Sequence, residues 1–247
     1  MISASMDKTI NIWDPNTGAS IRIYKGHSFA IYGIDLIDSD TVVSVSGDMT
    51  IQVWRISTGE TIKKINGGAI VFTVKVLLNG SQIVCGFNGN KNNLRIYNPR
   101  TGDLVQSLNG HTAYVNAVEV LSDEFIVSGG WDTKVIIWNL TSHTAKFKLT
   151  GHSSQIYCLK LLSSNLMASG DLEGKILIWN WLQGTLVYEL SEHTSLLFLS
   201  SLDLFYEKTL MSGSRDKTIK FWNLENGKLI QSINTTIEIG SLGMLEK

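Results

Sequence analysis

The stretch "GHTAYVNAVEVLSDEFIVSGGWDTKVIIWN", residues 110–139, contains one full copy of a pattern that returns along the chain. It also holds His111, Ser128 and Asp132, the three side-chain types of a hydrolytic triad. The trio belongs either to a catalytic site or to a structural device. The number of times it occurs separates these interpretations, because a triad is built once whereas a structural device recurs.

Two markers recur in a common register. The first is an aromatic residue that ends a short aliphatic strand, at intervals of 41 or 43 residues: Trp13, Trp54, Tyr97, Trp138, Trp179 and Trp222. The second, usually Gly-His, lies 27 or 29 residues ahead of five of these aromatics and ends at His27, Gly68, His111, His152 and His193. A period in the low forties is typical of an array of supersecondary units. Alternating Val, Ile and aromatic residues between Gly, Asp and Asn turns predict that each unit is built of strands.

These motifs resemble the WD-repeat family of β-propellers, and the resemblance covers nearly the whole chain. The matching features are Gly-His, then Ser-Gly ahead of Asp, then a strand such as "TIKFW". The resemblance implies an all-β fold in which each blade has four antiparallel strands, named a to d from the central channel outward. We therefore expect residues 1–247 to form a single WD-repeat β-propeller domain.

The two ends of the chain carry complementary strands. The chain begins with a strand b, "MISAS", and ends with a strand a at residues 237–245. With six strand-c aromatics, this predicts six four-stranded blades closed by pairing of the C-terminal strand with the N-terminal blade, which leaves no exposed blade edge. The alternative is that the chain is a fragment of a larger propeller, such as one with seven blades.

The triad-like trio occurs repeatedly, each time with a tryptophan. The sets are His27, Ser44, Asp48 and Trp54; His111, Ser128, Asp132 and Trp138; His152, Ser169, Glu173 and Trp179; and His193, Ser212, Asp216 and Trp222. An indole donates, a carboxylate accepts, and serine and neutral histidine do both, so each set can satisfy its own buried polar groups. The resemblance implies a structural hydrogen-bonded network rather than catalysis. The third blade departs from it, with Gly68, Cys85 and Tyr97 at the histidine, serine and tryptophan positions.

A ring of mostly aromatic residues is expected around the channel mouth. By their position beside strand a or in the turn between strands b and c, they are Tyr32, Phe72, Tyr114, Asn116, Trp131, Tyr157, Leu196, Phe198 and Arg215. Protein interfaces are enriched in aromatic residues and arginine, so this ring is predicted to bind a partner. The alternative is that several of these rings only pack between blades. Trp181 is expected in a turn at the opposite face.

Composition excludes several classes of partner and site. The net charge of -1 gives no general attraction to nucleic acid or acidic membranes. The N-terminus shows no secretory signal, which predicts a cytoplasmic or nuclear protein. Cys85 and Cys158 have no neighbouring thiol or paired histidine, so we expect buried free thiols, no metal and no cofactor.

Three functions remain open from the sequence. The favoured one is a non-catalytic scaffold or adaptor, monomeric alone and part of a complex, that binds a protein or peptide on the aromatic face. The alternative is the substrate-recognition part of a ubiquitin-ligase-type or other multiprotein complex. A less favoured alternative is an enzyme at the channel mouth, where the matched positions supply only Arg215 and Glu238 as titratable groups.

Overall fold

The computed structural model describes residues 1–77, 80–194, 201–206 and 208–239. The described residues form β-strands joined by turns, and they contain no helix that is long and apolar enough to cross a bilayer. The chain divides into two compact units, Met1–Val115 and Asn116–Lys247. Each unit is described by itself.

The first unit contains three antiparallel sheets. The first sheet is β1 (Ile2–Ala4), β2 (Thr9–Trp13) and β3 (Ser20–Lys25). The second is β4 (Ile31–Asp38), β5 (Thr41–Ser46), β6 (Thr50–Arg55) and β7 (Thr61–Asn66). The third is β8 (Val71–Val76), β9 (Ile83–Phe87), β10 (Leu94–Tyr97) and β11 (Leu104–Leu108).

The remaining strands form three more four-stranded antiparallel sheets. The first of these is β12 (Val115–Val120), β13 (Phe125–Gly130), β14 (Val135–Asn139) and β15 (Thr144–Leu149). The next is β16 (Ile156–Leu161), β17 (Leu166–Asp171), β18 (Ile176–Asn180) and β19 (Thr185–Leu190). The last is β20 (Leu202–Tyr206), β21 (Thr209–Gly213), β22 (Thr218–Asn223) and β23 (Lys228–Asn234).

The repeat in the sequence is a repeat in the structure. Strands run in chain order across each sheet. The recurring aromatic is the last or the penultimate residue of strand c, where the pairing to strand d shifts register. Such a bulge increases the local twist of a strand pair. Turns between strands c and d place Gly at positive φ, as at Gly59 (82°) and Gly102 (85°), because an L side chain is strained there.

Strands b and c supply the core. In the four-stranded sheets, strand b is buried along most of its length, as in β9 with Ile83–Phe87, and strand c is buried in the same way in β6, β14 and β18. In the first unit, one core cluster joins Val43, Val53, Val71 and Phe87 of two neighbouring sheets. In the second unit, equivalent clusters surround Trp179 and Trp222.

The prediction of four-stranded sheets is confirmed for five of the sheets in the described part of the chain. The first sheet, β1–β3, has three strands there. The strand expected to complete it, residues 237–245, lies mostly outside the described residues, which end at 239. Ring closure and the single-domain organisation therefore stay predictions.

Small residues on strand b set how closely neighbouring sheets approach. A Cβ on Gly86 would lie 2.5 Å from the Val115 carbonyl oxygen and 2.7 Å from Thr73 Cγ2. A Cβ on Gly129 would lie 2.4 Å from Ile156 Cγ2. These glycines are fixed by the close packing of the next strand a, since protein interiors have little free volume.

Gly86→Ala should destabilise the protein by about 1–3 kcal/mol, because the added methyl group meets backbone on one side and a β-branched side chain on the other. Urea unfolding at neutral pH measures the change in free energy. Gly89→Ala is the matched control, because the nearest atom to its Cβ, the Lys91 carbonyl oxygen, is 3.4 Å away. Equal stability of the two variants would contradict this account of blade packing.

Candidate functional site

An indole-to-serine hydrogen bond recurs in five of the six sheets. The Nε1–H of the strand-c tryptophan donates to the Oγ of a serine on strand b, and every one of these distances is 2.8 Å. The pairs are Trp13–Ser3, Trp54–Ser44, Trp138–Ser128, Trp179–Ser169 and Trp222–Ser212. This bond fixes the large side chain of strand c to the neighbouring strand.

The bond extends into a relay at His27. His27 Nε2 lies 2.7 Å from Ser44 Oγ, and Nδ1 lies 2.9 Å from Asp48 Oδ2. Since Ser44 accepts from the indole, its hydroxyl donates to Nε2, and Nδ1–H donates to the carboxylate. The same relay occurs at His193, with 2.7 Å to Ser212 Oγ and 2.8 Å to Asp216 Oδ2. In both sets the hydrogen bonds join the four residues that the sequence groups together.

Burial and hydrogen bonding set the charges of the relay. Burial lowers the pKa of His27 and His193, outweighing their aspartate partners, which raise it. Burial also acts to raise the pKa of Asp48, but hydrogen bonds from Thr50, Ser28 N–H and His27 outweigh it and lower this pKa. The relay therefore holds a neutral imidazole beside an ionised carboxylate at neutral pH.

The predicted role of Glu173 is wrong. His152 Nδ1 lies 2.8 Å from Asp171 Oδ2, and Nε2 lies 2.6 Å from Ser169 Oγ, so Asp171 is the carboxylate of this set. Asp171 lies two residues after Ser169 on β17, and alternate residues of a strand share a face. Glu173 is exposed in the following turn, and its backbone N–H donates to Asp171 Oδ1 at 3.1 Å.

The third sheet of the first unit replaces the relay with a cation. The Arg95 guanidinium donates to the Gly67 carbonyl oxygen at 2.6 Å, and its Cζ lies 4.2 Å from the centre of the Phe87 ring. Gln52, at the same position of the preceding sheet, donates to Gly26 O at 3.2 Å. Arg95 therefore ties the loop before strand a to strand c without a histidine. In the sequence, the sign of this contact was that Arg95 lies two residues before Tyr97, the position that Gln52 holds relative to Trp54.

The relay cannot easily act as a nucleophile. Ser44, Ser169 and Ser212 are 0% exposed, and each hydroxyl is held between an indole and an imidazole. A substrate carbonyl could not reach these oxygens without unfolding the sheet. The same geometry accounts for the repetition, because each set satisfies polar groups that would be costly to bury alone.

Three predicted interface rings form a row in the first unit. The centres of the Tyr32 and Phe72 rings are 5.4 Å apart, and those of Phe72 and Tyr114 are 6.0 Å apart at an interplanar angle of 27°. All three residues are half-buried, so their rings pack on one another and still present surface. We call Tyr32, Phe72 and Tyr114 the aromatic row.

The sequence analysis missed Phe29, which is 52% exposed beside this row. A Cβ on Gly47 would lie 2.4 Å from Phe29 Cδ1 and 3.2 Å from Tyr32 Cε2, so Gly47 gives both rings their space. Met49, two residues later, is 47% exposed and has a φ of 65°, a strained conformation for an unbranched L residue. The only signal for Phe29 was its place directly after "GHS".

The second unit contains an aromatic pair. The ring centres of Trp131 and Tyr157 are 6.2 Å apart, and Trp131 is 36% exposed. Burial raises the pKa of Tyr157, while a hydrogen bond with Trp131 opposes the change. We call these two residues the aromatic pair.

The other predicted interface residues have different environments. Asn116 is only 3% exposed, and its Oδ1 accepts no hydrogen bond from the described residues. Arg215 is exposed and pairs with Glu238, with 2.9 Å between Nε and Oε2. Leu196 and Phe198 lie outside the described residues.

Trp181 and the cysteines are part of the packing. Trp181 lies in the turn after β18, is 4% exposed and packs against Phe125 with ring centres 5.8 Å apart. Cys85 and Cys158 are free and buried, and burial raises the pKa of Cys158 to about 12. The described residues contain no cluster of His, Cys, Asp and Glu with the geometry of a metal site.

A family comparison matches the repeats seen in the structure. The model described as "WD domain, G-beta repeat" matches residues 18–55, 102–139, 143–180 and 184–223, more than half of the chain. These ranges leave out residues 56–101, which include Arg95 and the strands β8, β9 and β10 of its sheet.

Two individual proteins are similar. Nuclear distribution protein PAC1-2 of Uncinocarpus reesii (strain UAMH 1704) is 34% identical over 163 residues, which are 60% of this chain and 35% of that protein. The chain thus spans about a third of this relative's length. A crystal structure of the computationally designed Ika8 protein has a TM-score of 0.82 and 26% identity, over 99% of this chain and 74% of that one. With the repeats, this likeness supports an all-β propeller fold.

Asp171→Ala should destabilise the protein by about 1–3 kcal/mol, because His152 Nδ1–H and two backbone N–H groups lose a buried acceptor. Glu173→Ala should change stability by less than about 0.5 kcal/mol, since this side chain is exposed. Chemical denaturation of both variants tests the corrected assignment. A larger loss for Glu173→Ala would restore the original one.

Stability should fall as the pH drops from about 7.5 to about 5.5, because the unfolded chain takes up protons at His27 and His193 before the folded protein does. Above the ordinary histidine pKa of 6.5, the contribution of these two histidines to the free energy of unfolding does not change with pH. Below this pKa, protonation stabilises the unfolded state relative to the folded state. Urea unfolding at both pH values measures the slope. The double variant His27→Gln, His193→Gln should flatten it, whereas His143→Gln, in an exposed turn, should not. An unchanged slope in the double variant would contradict burial as the cause.

Proposed function

Because the chain belongs to the WD-repeat family, we propose that it is a non-catalytic scaffold that binds peptide or protein segments through exposed aromatic residues, namely the aromatic row of the first unit and the aromatic pair of the second. Membership of the family supports a protein-interaction scaffold in general, and the buried relay serines support a non-catalytic one. The particular residues are the proposal. The protein or peptide partner is expected in the cytoplasm or the nucleus.

The observation that carries this proposal is that partly exposed aromatic rings lie in contact with one another in the first unit, as the aromatic row, and again in the second unit, as the aromatic pair. Tyr32, Phe72 and Tyr157 occupy the same place beside the start of strand a in three sheets. Stacked rings are rigid and offer a large contact area at a low cost in side-chain entropy. Phe29 extends the row with a ring that is half exposed.

The charge of this surface favours an apolar contact. Asp48, the carboxylate nearest in sequence to Met49 and Gly47, is engaged by His27, Thr50 and the Ser28 N–H, so it is not available to a partner. Apolar side chains therefore dominate what the first unit presents beside the row. A segment carrying aliphatic or aromatic residues fits such a surface, with hydrogen bonds at its rim.

The similar protein from Uncinocarpus reesii is named for nuclear distribution. We propose that this scaffold, too, acts in nuclear distribution, as a member of a multiprotein complex. The aligned residues represent 35% of that protein, so its other parts are not represented in the match.

Replacing Tyr32, Trp131 and Tyr157 by Ala should each weaken binding of the partner by about 1–3 kcal/mol if these rings are central anchors. Pull-down from the source cells with wild type and the triple variant identifies the partner, and calorimetric titration then gives the affinity of each variant. Tyr206→Ala is the matched control, because Tyr206 is 70% exposed and lies in neither aromatic group.

Thermal unfolding separates lost binding from lost folding, since the three variants should melt close to wild type. If the triple variant recovers the same proteins with the same affinity, the aromatic residues are not the binding site. If Tyr206→Ala loses the partners and the triple variant keeps them, the binding site lies at the other end of the strands.

A further inference from the structure

A second candidate surface lies at the opposite ends of the strands from the aromatic row. Tyr32 is near the start of β4, whereas Ile37 and Asp38 are at its end. Here a cleft of about 420 Å³ opens between the sheets β4–β7 and β8–β11 of the first unit. An adjoining depression shares Ile37, Asp38 and Arg100 with it, so the two form one continuous groove.

The cleft has an apolar floor and a cationic rim. The floor is made by Ile37, Val53, Ile62 and Pro99, and the rim carries Arg55 and Arg100. Ile62 is 43% exposed, which leaves an aliphatic surface open to solvent in a cleft that two arginines also line. An amphipathic surface of this kind suits a ligand that carries a hydrophobic group next to a negative charge.

The other repeats show which residue types usually occupy the positions of these two arginines. The residue after the strand-c aromatic is otherwise Asp or Asn: Asp14, Asn98, Asn139, Asn180 and Asn223. In four of these five turns its side chain accepts the N–H two residues on, as Asn98 does from Arg100 N–H at 2.9 Å. Arg55 stands at this position and cannot accept. The fold does not require a cation at this position, because the other turns have an acceptor side chain there.

The lost acceptor is replaced from another loop. The Ser57 backbone N–H donates to Asp40 Oδ1 at 2.7 Å, and the Ser57 hydroxyl donates to Asp40 Oδ2 at 2.9 Å. Arg55 Nη1 lies 3.6 Å from the same carboxylate, with half of its side chain exposed. Asp40 thus satisfies the turn while the arginine remains accessible at the rim.

Arg100 is the second departure. The equivalent turn position holds Asn16, Ser57, Thr141, Leu182 and Glu225 elsewhere, so the cation occurs in this blade alone. Within the described part of the chain, the Arg100 side chain makes no hydrogen bond or ion pair. Two cations that the repeat does not require therefore stand at one cleft.

Asp38 determines which anion fits. Hydrogen bonds from the Asp40 backbone N–H and from Thr41 lower the pKa of Asp38, with a smaller effect of the Arg100 charge, so it is ionised at neutral pH. A fixed negative charge at the cleft repels a polyanion such as nucleic acid more than it repels a single carboxylate. It can also accept an N–H from a peptide backbone.

We propose that this cleft binds a short acidic segment of a partner protein, with an aliphatic side chain on the floor and a neighbouring carboxylate at Arg100 and Arg55. The segment meets the apolar floor, the two guanidinium groups and Asp38 at once. This surface is separate from the aromatic row, because it lies at the other ends of the same strands. A partner bound at one surface leaves the other free.

The test is an NMR titration of the uniformly ¹⁵N-labelled full chain with a short capped peptide in which a leucine is followed by two glutamates. Saturable shifts are expected at the amides of Thr41, Ser81 and Arg100, which line the groove. Arg100→Glu should weaken the affinity at least about tenfold, because it turns an attraction into a repulsion. Ile62→Thr should weaken it several-fold by removing apolar contact area.

Matched variants separate local from general effects. Lys25→Glu makes the same charge change at an exposed site of the first sheet, and Ile21→Thr makes the same change at the equivalent position of strand d. Both should bind the peptide as wild type does. Tyr32→Ala should also bind it normally, so that a failure of the aromatic site and a failure of this cleft are distinguishable.

Several results would overturn the proposal. The absence of saturable shifts at millimolar peptide would do so, as would equal binding by Arg100→Glu. If a peptide with glycine in place of leucine binds equally well, or if inorganic phosphate at matched ionic strength displaces the peptide, the cleft is a plain anion site. Equal binding of a peptide with lysines in place of the glutamates would remove the role of charge.

Discussion

The indole-to-serine hydrogen bond is the constraint from which the rest of each blade follows. A tryptophan on strand c brings a large apolar surface and one N–H donor into a layer without water, so a partner must be supplied there. Ser44, Ser169 and Ser212 supply it at 2.8 Å, and each then needs an acceptor for its own hydroxyl. Histidine and aspartate complete the chain of donors and acceptors, and so draw the loop before strand a onto the sheet.

Departures from this relay show what it does. In the His152 set, the carboxylate comes from Asp171 at the end of strand b and not from the following turn. The distance between His152 Nδ1 and Asp171 Oδ2 is still 2.8 Å. The sheet that carries Arg95 has no relay, yet the Arg95 guanidinium still donates a hydrogen bond to the loop before strand a, at the Gly67 carbonyl oxygen. The requirement is therefore a polar tie between loop and strand, and several side chains meet it. The residues of the relay serve this tie, which is why function is sought outside the relay.

The first unit has two candidate surfaces outside the relay, at opposite ends of its strands. At one end, Gly47 makes room for the exposed Phe29 beside the aromatic row. At the other, Arg55 and Arg100, from turns of two neighbouring blades, flank an apolar cleft, whereas the matching positions in the other blades hold neutral or acidic residues. A rigid stack of sheets can vary both ends independently, because the relay and the core between them are satisfied internally.

The sequence by itself determined the repeat, the strand order within each sheet and most members of the relay, because these depend on spacing and on side-chain chemistry that recurs. It also placed Tyr32, Phe72 and Tyr157 at equivalent positions. Only the tertiary structure decided between Asp171 and Glu173, since both carboxylates are close to Ser169 in sequence and the strand face selects one. Exposure was likewise decided there: Asn116 is buried, Phe29 is open, and Arg55 and Arg100 converge on one cleft. Such convergence joins residues of different blades, and periodicity within a chain carries no information about which side chains meet across a gap between sheets.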